Sequence, residues 1–272
     1  MDMDQFRNLG EAILQSIRVS IARLIYGVLP KIRLAELRDR WSNKTPSYSF
    51  VQGSANDLAL AHLVLSSRAC LDPAGGLLIG DRWDVDAVRC YLKEEQELLL
   101  DILLLMFLRG GQSPPVPELT SLECCNGPCT SRGVYIDGGS VAYVTRHWKA
   151  RQSTNREFKV ARYLLRADSL FVVYYLAYVR PFAGMLSRRC CGLERERRLP
   201  FASTEHPKQP WKIEMVTKAL KKLTNKVCGM GFGVQVYRVS IAITERHVKQ
   251  TSRSFDRYDD TSSKADMDVA FA

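Results

Sequence analysis

The run Gln112-Ser-Pro-Pro-Val-Pro117 constrains this chain more than any other stretch. Three prolines in four residues cannot continue a helix, because each fixes φ and removes a backbone donor. Before this run, apolar residues recur at helical spacing; after it, the pattern changes to strands. The chain is thereby read as an N-terminal helical region, residues 1–111, a second region, residues 112–250, and a loose polar tail, residues 251–272. The expected fold class is α+β, mainly helical with a small antiparallel three-stranded sheet.

The helical region begins with Leu9, Ile13, Ile17, Ile21, Leu24 and Ile25 on one stripe, with Arg7, Arg18 and Arg23 off it. That is an amphipathic helix suited to core packing. Residues 33–41 read as a second, short helix, 43–54 as a turn-rich connector, and 56–68 as a third helix. Asp84 can cap a long helix that runs to about Leu108, with Gly110-Gly111 past its end.

After the prolines, residues 133–137, 140–149 and 158–164 read as strands. Asp137-Gly138-Gly139 supplies the positive φ that a tight turn between the first two requires. Asp168 is placed as the cap of a helix over 169–180, which Pro181 should bend or end. Residues 211–228 form an amphipathic helix with Lys218, Lys221, Lys222 and Lys226 largely off its apolar side. Residues 234–248 fit either a strand or a buried helix.

The 272 residues are 46% apolar and 25% charged, which suits a packed core. The formal charge of +10 favours an anionic partner, with nucleic acid ahead of membrane. The acidic start, MDMDQFRNLG, is unlike a secretory leader, so the eight cysteines are expected as reduced thiols inside a cell. No run reaches the roughly 20 apolar residues of a transmembrane helix, and no membrane association is expected. Cys124-Cys125-Asn-Gly-Pro-Cys129 lacks a second pair at comparable spacing, so no metal is expected. Gly229-Met-Gly-Phe-Gly233 follows a helix rather than opening one, so no nucleotide cofactor is expected. The four histidines, His62, His147, His206 and His247, stand beside no recognisable nucleophile motif.

The strongest functional signal is the predicted hairpin Ser140–Leu164, which carries six arginines and lysines. Arg146, His147 and Lys149 close its first strand, Arg151 and Arg156 lie in its turn, and Lys159 opens its second strand. Alternation puts Arg146 on one face with Trp148, and His147 on the other with Lys149. Cations gathered at a turn stand clear of the sheet and can follow a phosphate backbone.

The element order resembles the catalytic domain of tyrosine recombinases. It is most similar to the degenerate recombinase-like domain of fungal Crypton-type elements and of telomere-linked RecQ-like helicases. The phrases that carry the resemblance are Pro117–Leu122, Arg132–Ile136, Val144–Lys149, Tyr175–Phe182 and Tyr237–Ile243, in that order. The family implies DNA strand exchange by a nucleophilic tyrosine, two arginines that hold the phosphate and a sheet lysine that acts as general acid. On that pattern Lys149 corresponds to the sheet lysine and Arg238 to the second arginine. Gln235 stands where the family often has histidine or lysine. The first arginine is missing from Pro115-Val-Pro-Glu118, and Arg109, before the prolines, is not an expected substitute. The last histidine and the tyrosine should come after Asp268–Ala272, and Tyr258 falls too early, so the domain is read as C-terminally truncated.

The expectation is therefore a catalytically inactive, nuclear DNA-binding fragment, with Lys149 and Arg238 as vestigial catalytic positions. Arg146, His147, Lys149, Arg151, Arg156, Lys159 and Arg238 would form the nucleic-acid contact. Two alternatives remain open: a non-binding interaction module or gene-decay product, and part of a longer active recombinase or helicase-associated enzyme.

Overall fold

The computed structural model describes residues 3–28, 30–71, 76–147, 158–193, 198–202, 206 and 208–241. The chain forms two compact units, Met1–Phe232 and Gly233–Ala272. Residues on both sides of the proline run therefore belong to the first unit, and the prolines mark a change of secondary structure within it.

Helix α1, Met3–Leu24, buries Leu9, Ile13, Ile17 and Ile21 completely or nearly so, while Arg7, Arg18 and Arg23 remain exposed. Each fully buried aliphatic side chain contributes about 1.5–3 kcal/mol before entropic costs. The apolar face lies on α3, Val85–Arg109. Asp84 caps α3 as expected, its carboxylate accepting from the amides of Asp86 at 2.9 Å and Ala87 at 3.2 Å. Between them lie α2, Leu63–Leu71, and a two-residue hairpin, β1 Leu78–Ile79 and β2 Arg82–Trp83.

Past the prolines a short helix α4, Val116–Thr120, leads to three antiparallel strands in the order β3–β4–β5: Val134–Asp137, Ser140–His147 and Phe158–Tyr163. Gly138 (φ +53°) and Gly139 (φ +83°) turn the chain between β3 and β4. One face of the sheet meets the helices. There the Tyr143 hydroxyl donates to the Met106 carbonyl at 2.7 Å and so satisfies the end of α3. A Cβ at Gly110 would collide with that hydroxyl, so this position has room only for glycine. The other face carries Tyr135, Ala142 and Val144, packed under Trp41 and Ala161.

Four local expectations change. Residues 33–41 hold only a single 3₁₀ turn, Leu34–Glu36. Side chains take over the backbone that a helix would have used: Asn56 accepts from the Arg38 amide and donates back to its carbonyl, both at 2.7 Å, and Arg40 donates to the Tyr48 hydroxyl. The third helix begins at Leu63, after turns over 58–62. Asp168 is not a cap. Helix α5, Arg166–Tyr174, starts before it, and its buried carboxylate instead receives Arg109 Nε at 2.7 Å. Pro181 ends nothing. A π turn, Tyr175–Val179, joins α5 to α6, Arg180–Cys191, in one continuous helix, and the wider turn comes just where Pro181 lacks an N–H.

The stretch Arg166–Cys191 is long and apolar enough to cross a membrane by length and composition alone. However, 67% of its apolar window is buried within the protein. The last helix of the first unit is α7, Ile213–Cys228, which buries Val216 and Leu220 and ends at Gly229 with φ +71°. In the second unit residues 234–241 are helical, which decides between the two readings for that part.

Candidate nucleic-acid interface

The sheet positions the candidate site by its register. Arg146 on β4 lies directly opposite Lys159 on β5, two pairs beyond Val144 and Ala161 counted along the strand. Residues opposed across an antiparallel pair share a face. Both cations therefore stand on the face that carries Tyr135, Val144 and Trp41, one pair from the end of the ladder where β4 leads on to β5. Like charges directly opposed destabilise a sheet, so this pairing runs against local stability.

Arg146 is half-buried, and one guanidinium nitrogen donates to the Ser131 carbonyl at 2.6 Å. The Ser131 hydroxyl accepts from Lys44 Nζ at 3.2 Å. One residue thus gathers two cations from segments far apart in the chain. Lys44 and Lys159 are exposed. Lys44 was not anticipated, because Asn43-Lys-Thr-Pro46 reads only as a turn; nothing local announces that it reaches Ser131.

Beneath this group lies an unusual support. Arg132 is fully buried, with its guanidinium 4.8 Å from the Tyr48 ring centroid and 4.4 Å from that of Tyr135. Trp41 stacks on the far side of Tyr135, centroids 4.4 Å apart. Arg132 pairs with Asp39 at 2.6 Å and also donates to the Arg40 carbonyl. The other Asp39 oxygen accepts from the Ile136 amide at 3.1 Å. Burial raises the Asp39 pKa above the usual carboxylate range, and Arg132 offsets this only in part. These contacts clamp the connector 38–48 against β3, and with it Lys44.

Arg162, the sixth cation of the hairpin, faces the other way. It donates to the Gln112 carbonyl at 2.8 Å and to Thr145 Oγ1 at 2.6 Å, tying the proline run to the sheet. His147 ends β4 opposite Phe158. Lys149, Arg151 and Arg156 lie outside the described residues. Arg238 is exposed on the 234–241 helix of the second unit. Of the predicted contact residues, Arg146 and Lys159 are thus brought together, with Lys44 joining them.

The phrase Pro115–Glu118 lies at the start of α4. The nearest arginine, Arg109, is held by Asp168 at 2.7 Å and Glu11 at 3.4 Å. Among the described residues no group of three or more His, Cys, Asp or Glu side chains could hold a metal ion. No protein-family model, no curated protein and no solved structure matches this chain.

Proposed function

We propose that this protein binds DNA through its phosphates, with little sequence preference, and that it does so from the outer face of the β4–β5 hairpin. The observation that carries the reading is the direct opposition of Arg146 and Lys159, with Lys44 brought beside them through Ser131. The net charge of +10 supports the same partner. Lys149, Arg151 and Arg156, which join β4 to β5 in the sequence, are candidates for the same contact, and Arg238 of the second unit is a separate candidate.

The resemblance to recombinase-like domains of Crypton-type elements and telomere-linked RecQ-like helicases supplies the lineage, and with it a nuclear location. In this reading the chain binds DNA without cleaving it. The phosphate-holding arginine is missing from Pro115–Glu118, and Arg109 is committed to two carboxylates. Losing one preorganised donor at a reacting phosphate removes about 10²–10³ of rate.

A filter-binding titration of the full chain against duplex DNA at two salt concentrations tests the reading. Expected is binding whose affinity falls steeply with salt, with a log–log slope of about −0.9 per phosphate neutralised. No binding at low salt, or binding indifferent to salt, overturns it.

A further inference from the structure

A second cationic surface lies on α7, in the same compact unit as the hairpin. The helix packs on α1, α3 and α4 and buries Val216, Leu220 and Thr224. Lys218, Lys221, Lys222 and Lys226 are all exposed. At about 100° per residue they occupy an arc of about 140° on the side opposite the buried one. Glu214, in the first turn, is the only acid of the helix, and the helix has no aromatic residue. Met215 is the one large apolar side chain on the arc.

Exposed charge on the other long helices is mixed in sign. On α1, Arg7 faces Asp4 at 3.4 Å, and Arg23 faces Glu94 of α3 at 3.5 Å; on α3, Arg89 faces Asp86 at 3.1 Å. Among the described residues none of the four α7 lysines makes an ion pair or a side-chain hydrogen bond. Asp101 of α3, which accepts from Ser16 at 2.6 Å, feels the charges of Lys222 and Lys226, so one edge of the arc is balanced in part. Lys221 bounds the other edge, with Lys218 between. Lys218, Lys222 and Lys226 follow at intervals of four, and like charges so spaced weaken a helix rather than support it.

We propose that this arc is a second docking surface for duplex DNA, met through the phosphate backbone. It shares its partner with the hairpin reading and none of its residues. Charge complementarity selects that partner. The column of three lysines advances about 6 Å per step, and a duplex carries one negative charge per about 1.7 Å of its axis, so each ammonium finds a phosphate without a fixed register. Lysine is a point charge without the fork that reads a base edge, so the contact is tolerant of sequence. A single strand is held by stacking on aromatic rings, and this helix has none. A lipid surface takes up a helix by its apolar face, and here that face is turned into the protein.

The test uses the full chain carrying Arg146→Gln and Lys159→Gln, so that the binding that remains does not depend on that pair. Filter binding to a short duplex is measured at two salt concentrations. Adding Lys218→Gln with Lys221→Gln is expected to lower the remaining affinity about tenfold and the salt slope by about two. Lys218→Arg with Lys221→Arg keeps both. In the wild type, saturating duplex at low salt should slow acetylation of Lys218 and Lys221 by an N-hydroxysuccinimide ester severalfold, read by peptide mass spectrometry. Lys93, exposed on α3 beside Glu94, should label as before. The proposal is overturned if the glutamine pair changes neither affinity nor slope, or if duplex leaves the two acetylation rates unaltered. Protection by phosphatidylserine vesicles in place of duplex overturns it as well. The hairpin reading fails separately: if Arg146→Gln with Lys159→Gln binds as wild type does, that reading falls while the α7 result stands. A wild-type chain that binds no duplex overturns both.

Discussion

Arg132, just before β3, and Arg146, on β4, both act on the Tyr135 hydroxyl, yet their surroundings differ in every respect that matters. Arg132 is enclosed: two tyrosine rings face its guanidinium, Asp39 neutralises it, and none of its side chain reaches solvent. Arg146 is half-exposed, opposes another cation and donates to a backbone carbonyl, that of Ser131. The first arrangement satisfies the charge within the fold. The second places a half-exposed charge opposite another cation near the surface. Positive charge alone thus marks no site; accessibility and neighbouring cations distinguish the two arginines.

That contrast can be broken in three ways. The largest effect is expected from Arg132→Met, which leaves Asp39 buried and unpaired. Breaking a buried pair this way costs about 3–5 kcal/mol, read as a drop in the urea midpoint. A loss below about 1 kcal/mol would show that the enclosure does not depend on the charge.

Next comes Arg146→Gln combined with Lys159→Gln. Stability should stay within about 1 kcal/mol of wild type, because both sites are near the surface. DNA affinity should fall about tenfold, or about 1.4 kcal/mol, and the salt slope should lessen by about two. If the two substitutions unfold the protein and leave affinity per folded molecule unchanged, the roles of the two arginines have been exchanged.

The smallest effect concerns Asp39. Burial raises its pKa in the folded protein, with Arg132 only partly opposing, so the folded state keeps this proton to higher pH than the unfolded chain does. Its contribution to stability is therefore greatest at acid pH. It declines as pH climbs from the ordinary carboxylate value through the raised folded one. Urea titrations across that window should show the decline in wild type, and Asp39→Asn should flatten it while lowering stability throughout. A wild-type contribution that grows with pH would mean that Arg132 dominates Asp39 after all.

What could be read from the chain before folding was whatever depends on near neighbours. The stripe of α1, the Asp84 cap, the Gly138-Gly139 turn and the placement of three strands follow from spacing and local backbone preference. Arg146 and Lys159 were named from the sequence as cations of the hairpin, but their opposition depends on a register that alternation alone does not fix. The enclosure of Arg132 was not, because its acceptors come from Asp39, Arg40 and Asn126, in segments that no local pattern links. Residues 33–41 were misread because Asn56 and Tyr48 claim backbone groups that helix periodicity would assign to its own turns. Asp168 has the right chemistry for a cap, but a distant arginine takes it as a partner.

The π turn at Tyr175–Val179 has a geometric effect on everything that follows it. One residue of an α-helix corresponds to about 100° of rotation, so an extra residue in that turn re-indexes α6 by about that angle about its axis. Deleting a single residue there would leave the helix intact yet swing Arg180 round the cylinder, away from the Leu199 carbonyl that it now reaches. The turn works as an angular offset built into an otherwise continuous rod, and the rod's downstream side chains are aimed by it.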